Sequence, residues 1–185
     1  MPIRHAKRVL LERDLSRPWA VRSVPFISFE TWLPHSLSDH AIALVRSFQD
    51  APDKDCFPSL TTETGCRDLL HDLVGLPEFC PEATWLARDG KSPIGTIQAI
   101  INHSTGHGEI QNLGVIPSHR GQGIAHRLLS LSLGELRLKN CRLVRLEVTA
   151  NNDSAVRLYR NFGFEPYKTF YTPIRSALTE TGSGI

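Results

Sequence analysis

The sequence predicts an α/β fold with a sheet of mixed direction and about four helices. Three observations point there. Two β-rich runs, 83–88 and 94–101, flank Asp89-Gly90, a pair that favours the tight turn of a hairpin. From 109 to 172 the pattern alternates strand, helix, strand, helix, strand, which calls for parallel neighbours as well as antiparallel ones. The chain has 185 residues, 41% of them hydrophobic and 22% charged, so a single domain can bury a full core and disorder throughout is excluded.

Taken in order, a first strand is expected at 7–15, where Arg8–Leu15 mixes polar and apolar residues. An irregular stretch with Pro18, Pro25 and Pro34 follows, then a helix over 36–50 carried by Ala41, Ile42, Leu44, Val45 and Phe48. A second helix starts near Thr62, with Thr61 or Thr62 as its cap, and buries Leu69, Leu70, Leu73 and Val74 before Gly75 stops it. After the hairpin come a strand at 109–116, a helix to about Lys139, a strand at 143–149, a helix at 154–162 and a closing strand at 164–172. One domain is expected over 1–175, with a polar tail at 176–185.

The net charge of +2 demands no polyanionic partner, and no apolar run approaches the roughly 20 residues of a membrane span, so neither nucleic acid nor membrane is expected. Cys56, Cys66, Cys80 and Cys141 form no C-x-x-C pair; they read as reduced thiols in a cytoplasmic protein. The basic start of the chain contains Glu12 and Asp14, against the habit of transit peptides. His103 and His107 stand four apart in a glycine-bearing turn rather than on a helix, so no metal is expected. Trp19, Trp32 and Trp85 could serve a core or a cleft. A homodimer is left open.

The chemistry concentrates in 109–165. Arg120-Gly-Gln-Gly-Ile-Ala125 follows a strand and opens a helix whose apolar stripe is Ala125, Leu128, Leu129, Leu133 and Leu136. Unpaired N–H groups at a helix start, beside glycines that admit close approach, suit a phosphate. Gly123 is followed by Ile124-Ala125 rather than Lys-Ser/Thr, which excludes a nucleotide-hydrolysing P-loop. A dinucleotide fingerprint fails as well, because His126 stands where the third glycine belongs. In the preceding strand Ile110 and Asn112 share one parity and Leu113 and Val115 the other, a slip of phase that suggests a β-bulge beside Gly114. Val144, Leu146 and Val148 share one face of the next strand and leave Glu147 on the other. Asn152 or Asp153 caps the final helix, with Ala155, Leu158, Tyr159 and Phe162 on its stripe and Gly163 at its end.

Asn112-Leu-Gly-Val-Ile-Pro-Ser-His-Arg-Gly-Gln-Gly-Ile-Ala125 resembles the acetyl-CoA signature of the GCN5-related N-acetyltransferase (GNAT) superfamily. Leu146-Glu-Val-Thr-Ala-Asn-Asn152, followed by Ala155, Leu158-Tyr159 and Gly163-Phe164, resembles that superfamily's next motif. In motif the chain is similar to the branch that acetylates N-termini of ribosomal proteins, whereas its first eighty residues match that branch poorly. The resemblance implies a mixed, mostly antiparallel central sheet with splayed central parallel strands. It implies acetyl-CoA as acyl donor and an amine-bearing small molecule or a peptide as acceptor, attacked directly in a ternary complex. The backbone of Arg120, Gly121, Gln122, Gly123, Ile124, Ala125 and His126 would cradle the pyrophosphate. Leu113, Gly114 and Val115 would pair with the pantetheine arm, and Asn152 would hydrogen-bond it. Tyr159 would protonate the departing thiolate, and Glu147 would accept the amine proton through water.

Those roles suit the chemistry. A lysine-like amine near pKa 10.4 is only about 0.1% neutral at pH 7.4, and an α-amine near 7.8 roughly a quarter neutral, so a base matters most for the former. Glu147 could instead face solvent or pair with Arg145 or Arg157, and Glu109 and Gln111 are rivals on the preceding strand. Tyr159 could be an ordinary core tyrosine. A non-catalytic acyl-CoA sensor or partner module on the same fold is the alternative function.

Overall fold

A computed structural model describes residues 4–51 and 54–174. The expected tail at 176–185 lies outside the described residues. Among the described residues seven strands form one sheet: β1 (His5–Asp14), β2 (Ile27–Thr31), β3 (Trp85–Asp89), β4 (Ser92–Asn102), β5 (His107–Val115), β6 (Leu143–Thr149) and β7 (Glu165–Pro173). Their spatial order is β2-β3-β4-β5-β6-β1-β7. The described residues also hold four α-helices: α1 (Leu37–Phe48), α2 (Glu63–Val74), α3 (Ile124–Leu138) and α4 (Asp153–Asn161). Every strand pair is antiparallel except β5·β6.

The expected elements are present, with one addition. The stretch expected to be irregular contains β2, which pairs with β3 from Ile27↔Asp89 to Thr31↔Trp85. Five residues with only Ile27 and Phe29 in alternation carry too little pattern to announce a strand, and β3 supplies what the local sequence lacks.

The β5·β6 ladder is short. Gly108↔Val144, Glu109↔Arg145 and Ile110↔Leu146 are in register, and beyond Ile110 the strands part. The expected bulge lies where they part: Gln98 faces Asn112 while Ala99 faces Ile110, leaving Gln111 as the extra residue. This bulge reverses the side-chain phase of β5 and separates its outer half from β6.

One core lies under α3, whose Leu128, Leu129, Leu133 and Leu136 are fully buried against Ile97, Val144 and Leu146. A second joins α1 to α2 through Leu44, Leu60, Leu70 and Leu73. Trp32 packs on His40 and Phe79, while Trp19 meets the guanidinium groups of Arg13 and Arg137 and donates Nε1–H to Ser130 Oγ. With Trp85 packed against the first core, all three tryptophans are structural. Among the described residues no helix is long and apolar enough to cross a membrane.

His40 on α1 is fully buried and meets Thr96 Oγ1 through Nδ1 at 2.7 Å. Burial pushes its pKa down to about 3, with Asp39 opposing and Arg88 assisting. The unfolded chain takes up this proton near pH 6.5 and the folded chain only near 3, so the contribution is intact above 6.5 and is lost as pH falls. Urea unfolding is expected to show an added loss of about 1.4 kcal/mol per pH unit below 6.5, absent in His40→Leu.

Candidate active site

Two cavities meet along the split between β5 and β6. The first, of about 400 Å³, lies over the start of α3 and is lined by Arg22, Arg120, Gly121, Gly123 to His126, and Arg157. The second, of about 1000 Å³, opens between the sheet and α2 and carries Asp68, Asp72, Glu109 and Glu147 with Arg8 and Arg145. Phe48, Leu113, Asn152, Ala155 and Tyr159 line both. Tyr159 thus belongs to the wall that the two cavities share.

The glycine loop leaves open room at the start of α3. Gly121 and Gly123 have φ of +76° and +83°, and a Cβ at Gly121 would meet nothing within 4 Å. Gly123 is the N-cap of α3 and offers no side chain to the first-turn amides, which therefore face the cavity without an intrahelical acceptor. With Arg22 and Arg157 beside them, these groups suit a diphosphate. Gln122 is the loop residue outside the lining; its side chain turns toward Ser118 O at 3.4 Å. Arg120 directs its guanidinium away from the loop, Nε to Val115 O at 3.0 Å and Nη2 to Ser47 O at 2.9 Å, tying the end of β5 to α1. His126 packs at a tilt against Phe162, ring centres 4.5 Å apart, and burial, helped by nearby Arg22, lowers its pKa.

Backbone alternation sets the use of β5. Ile116 N–H donates to Ile94 O, so Gly114 and Asn112 also direct their amides toward β4, while Leu113 and Val115 direct theirs into the split. Leu113 and Val115 thus present strand edges, and Arg120 already occupies the Val115 carbonyl. Gly114 supplies space instead: a Cβ there would stand 2.6 Å from Ser47 Cβ on α1. Gly114→Ala is expected to cost about 1–3 kcal/mol in chemical denaturation, with partial recovery when Ser47→Gly is added.

Asn152 caps α4 by accepting the Ala155 N–H at 3.2 Å, as its sequence position foretells. Tyr159 is 7% exposed and packs edge-on against Phe164 at 5.8 Å. Glu147 is half exposed, as the solvent-facing alternative has it, and pairs with neither Arg145 nor Arg157. It accepts Arg8 Nη2–H at 3.2 Å, while Arg145 binds Glu12 at 2.7 Å. Sequence reasoning gave no site role to Arg8, Arg22, Asp68 or Asp72. The i,i+4 spacing of Asp68 and Asp72 on α2 was a readable signal; the placement of Arg8 depends on strand order and had none.

Residues 45–164 match the acetyltransferase (GNAT) family. The mycothiol acetyltransferase of Acidothermus cellulolyticus is 34% identical over 184 residues, covering 88% of this chain and 53% of that protein. N-alpha-acetyltransferase 30 of Schizosaccharomyces pombe is 32% identical over 94 residues, covering 49% of this chain and 63% of its own. A solved GCN5-related N-acetyltransferase from Sphaerobacter thermophilus shares the fold, with a TM-score of 0.71 at 22% identity, over 96% of this chain and 54% of that one. The chain thus spans somewhat over half the length of these proteins.

Proposed function

The chain belongs to the GNAT acetyltransferase family, and from that premise we propose that it is an N-acetyltransferase, moving the acetyl group of acetyl-CoA to a primary amine by direct attack while both are bound. The observation that carries this reading is the meeting of the two cavities at Tyr159, one edged by glycines and helix amides, the other lined by carboxylates.

The residues present fit acetyl-CoA. The left-handed glycines leave open room, the amides opening α3 suit its diphosphate, and the edges of Leu113 and Val115 suit an extended amide arm. Acetyl-CoA brings an activated acyl group and a thiol leaving group of pKa near 8.5. The protein's own residues do the rest. Glu147, at the wall of the larger cavity with Arg8 as counter-ion, takes the amine proton through water. Tyr159, between the cavities, donates a proton to the departing sulfur. The Leu113 and Val115 amides align the arm so that its carbonyl is held at the junction. Glu109, partnered by Asn102 at 3.4 Å, borders the same cavity as a second carboxylate for the water.

One relative is named for mycothiol and another for N-alpha acetylation, which supports a small-molecule or peptide amine as acceptor. Cys66, Cys80 and Cys141 are buried thiols, which supports a reducing, cytoplasmic setting. The test is thiol release from acetyl-CoA with and without a panel of primary amines. Amine-dependent release is expected, with intersecting initial-rate patterns. Saturable acetyl-CoA binding without release on any amine would favour the sensor instead.

A further inference from the structure

We propose that Arg8 reads a carbonyl oxygen next to the acceptor amine, so that the protein favours α-aminoacyl amides over plain alkylamines. This deepens the N-acetyltransferase reading and rests on it.

β1 lies between β6 and β7, with Arg8 opposite Thr149 and Leu10 opposite Glu147. Arg8 and Leu10 both line the carboxylate-bearing cavity, whereas Leu11 packs in the core under α3. An arginine from the start of the chain therefore becomes part of the wall beside Glu147.

Arg8 is 6% exposed, a cost that a cation bears only when its donors are used. They are not all used. Its guanidinium lies over the Phe57 ring at 4.7 Å and, among the described residues, gives one hydrogen bond, Nη2 to Glu147 Oε2. Nε is buried with no partner among the described residues, although a guanidinium carries five N–H groups. The other arginine of the cavity is committed, since Arg145 binds Glu12 and lies over Tyr167 at 4.6 Å. Arg8 is thus a cation held over an aromatic ring; its Nε is closed off from the cavity, and its Nη groups, which give only the bond to Glu147 among the described residues, are the donors left for an acceptor.

The Arg8–Glu147 hydrogen bond fixes what those donors meet. An amine presented to Glu147 places its adjoining carbon substituent beside the guanidinium. A carbonyl there satisfies donors that an alkyl group would leave bare. The oxygen is that of a neutral amide rather than a free carboxylate, because Asp68, Asp72, Glu109 and Glu147 outnumber Arg8 and Arg145 around the cavity. Phe57, Leu69 and Leu73 offer the acyl side chain an apolar surface.

Alaninamide, alanine and isopropylamine, each with saturating acetyl-CoA, test this by thiol release. Per neutral amine, the wild-type protein is expected to favour alaninamide over isopropylamine at least tenfold in kcat/KM, with alanine below alaninamide. Arg8→Gln is expected to cut the alaninamide-to-isopropylamine ratio at least tenfold, with the KM for acetyl-CoA unchanged and Arg8→Lys restoring part of the ratio. Amine basicity cancels when the two proteins' ratios are compared. Equal use of both amines by the wild-type protein overturns the proposal even if no variant folds. So does a parallel loss on both amines in Arg8→Gln, which would mark Arg8 as a support for Glu147 alone. Acetyl-CoA binding with no turnover of any amine overturns the N-acetyltransferase reading itself, and this inference with it.

Discussion

Replacing Tyr159 by Phe is expected to lower kcat by about ten- to a thousand-fold while leaving acetyl-CoA affinity within about twofold of wild type. The ring is 7% exposed and meets Phe164 edge-on, so phenylalanine preserves the packing and removes only the hydroxyl. That hydroxyl belongs to a residue bordering both cavities, where the proposed reaction breaks the bond between acyl carbon and sulfur. A thiolate leaves without help more readily than an alkoxide would, because its pKa is near 8.5, and this bounds the effect from above. Single-turnover acetyl transfer and equilibrium titration measure the two quantities separately. Equal losses in both would make Tyr159 a binding residue and contradict its role as proton donor.

Gly123→Glu is expected to abolish acetyl-CoA binding in a protein that still folds. Gly123 has a φ of +83°, and an L-residue there pays roughly 1–2 kcal/mol in backbone strain. Its Cβ would find ordinary room, the nearest atom being Val24 Cγ2 at 3.7 Å. A carboxylate at the opening of α3 interacts favourably with the helix dipole, which offsets part of the strain and occupies the place of an anionic ligand. Thermal unfolding reads the outcome directly. At a hundredfold excess over Kd, acetyl-CoA should stabilise the wild-type protein by about 2.7 kcal/mol and leave Gly123→Glu unmoved. Gly123→Ala, with the same strain and no charge, should keep most of the shift. A full shift in Gly123→Glu would show that the ligand does not sit on this loop.

How much of this was legible in the sequence follows from the range of each interaction. The α3 stripe, the Asp89-Gly90 hairpin and the phase slip that became the Gln111 bulge are local patterns, each readable within about a dozen residues. The loop from Arg120 to His126 was legible for the same reason, since its glycines and the helix it opens are contiguous. Nothing local tells that β1 inserts between β6 and β7. The Arg8–Glu147 pair bridges 139 positions, and no periodicity could have chosen it over Arg145 or Arg157. Arg120 shows the same limit. Its place in the motif was visible, but the guanidinium's hold on Ser47, 73 positions away, depends on how α1 crosses β5 over Gly114. The acceptor cavity was the least legible part, because its carboxylates come from α2, β5 and β6 and converge only on folding.

The central claim is that the cavity over α3 takes acetyl-CoA. Calorimetric titration of the purified chain with acetyl-CoA, with NADH as the control, tests it most directly. Saturable micromolar binding of acetyl-CoA with no response to NADH is the predicted result. No binding of acetyl-CoA at millimolar concentration would contradict the account, and would leave the glycines of the loop with a structural role only.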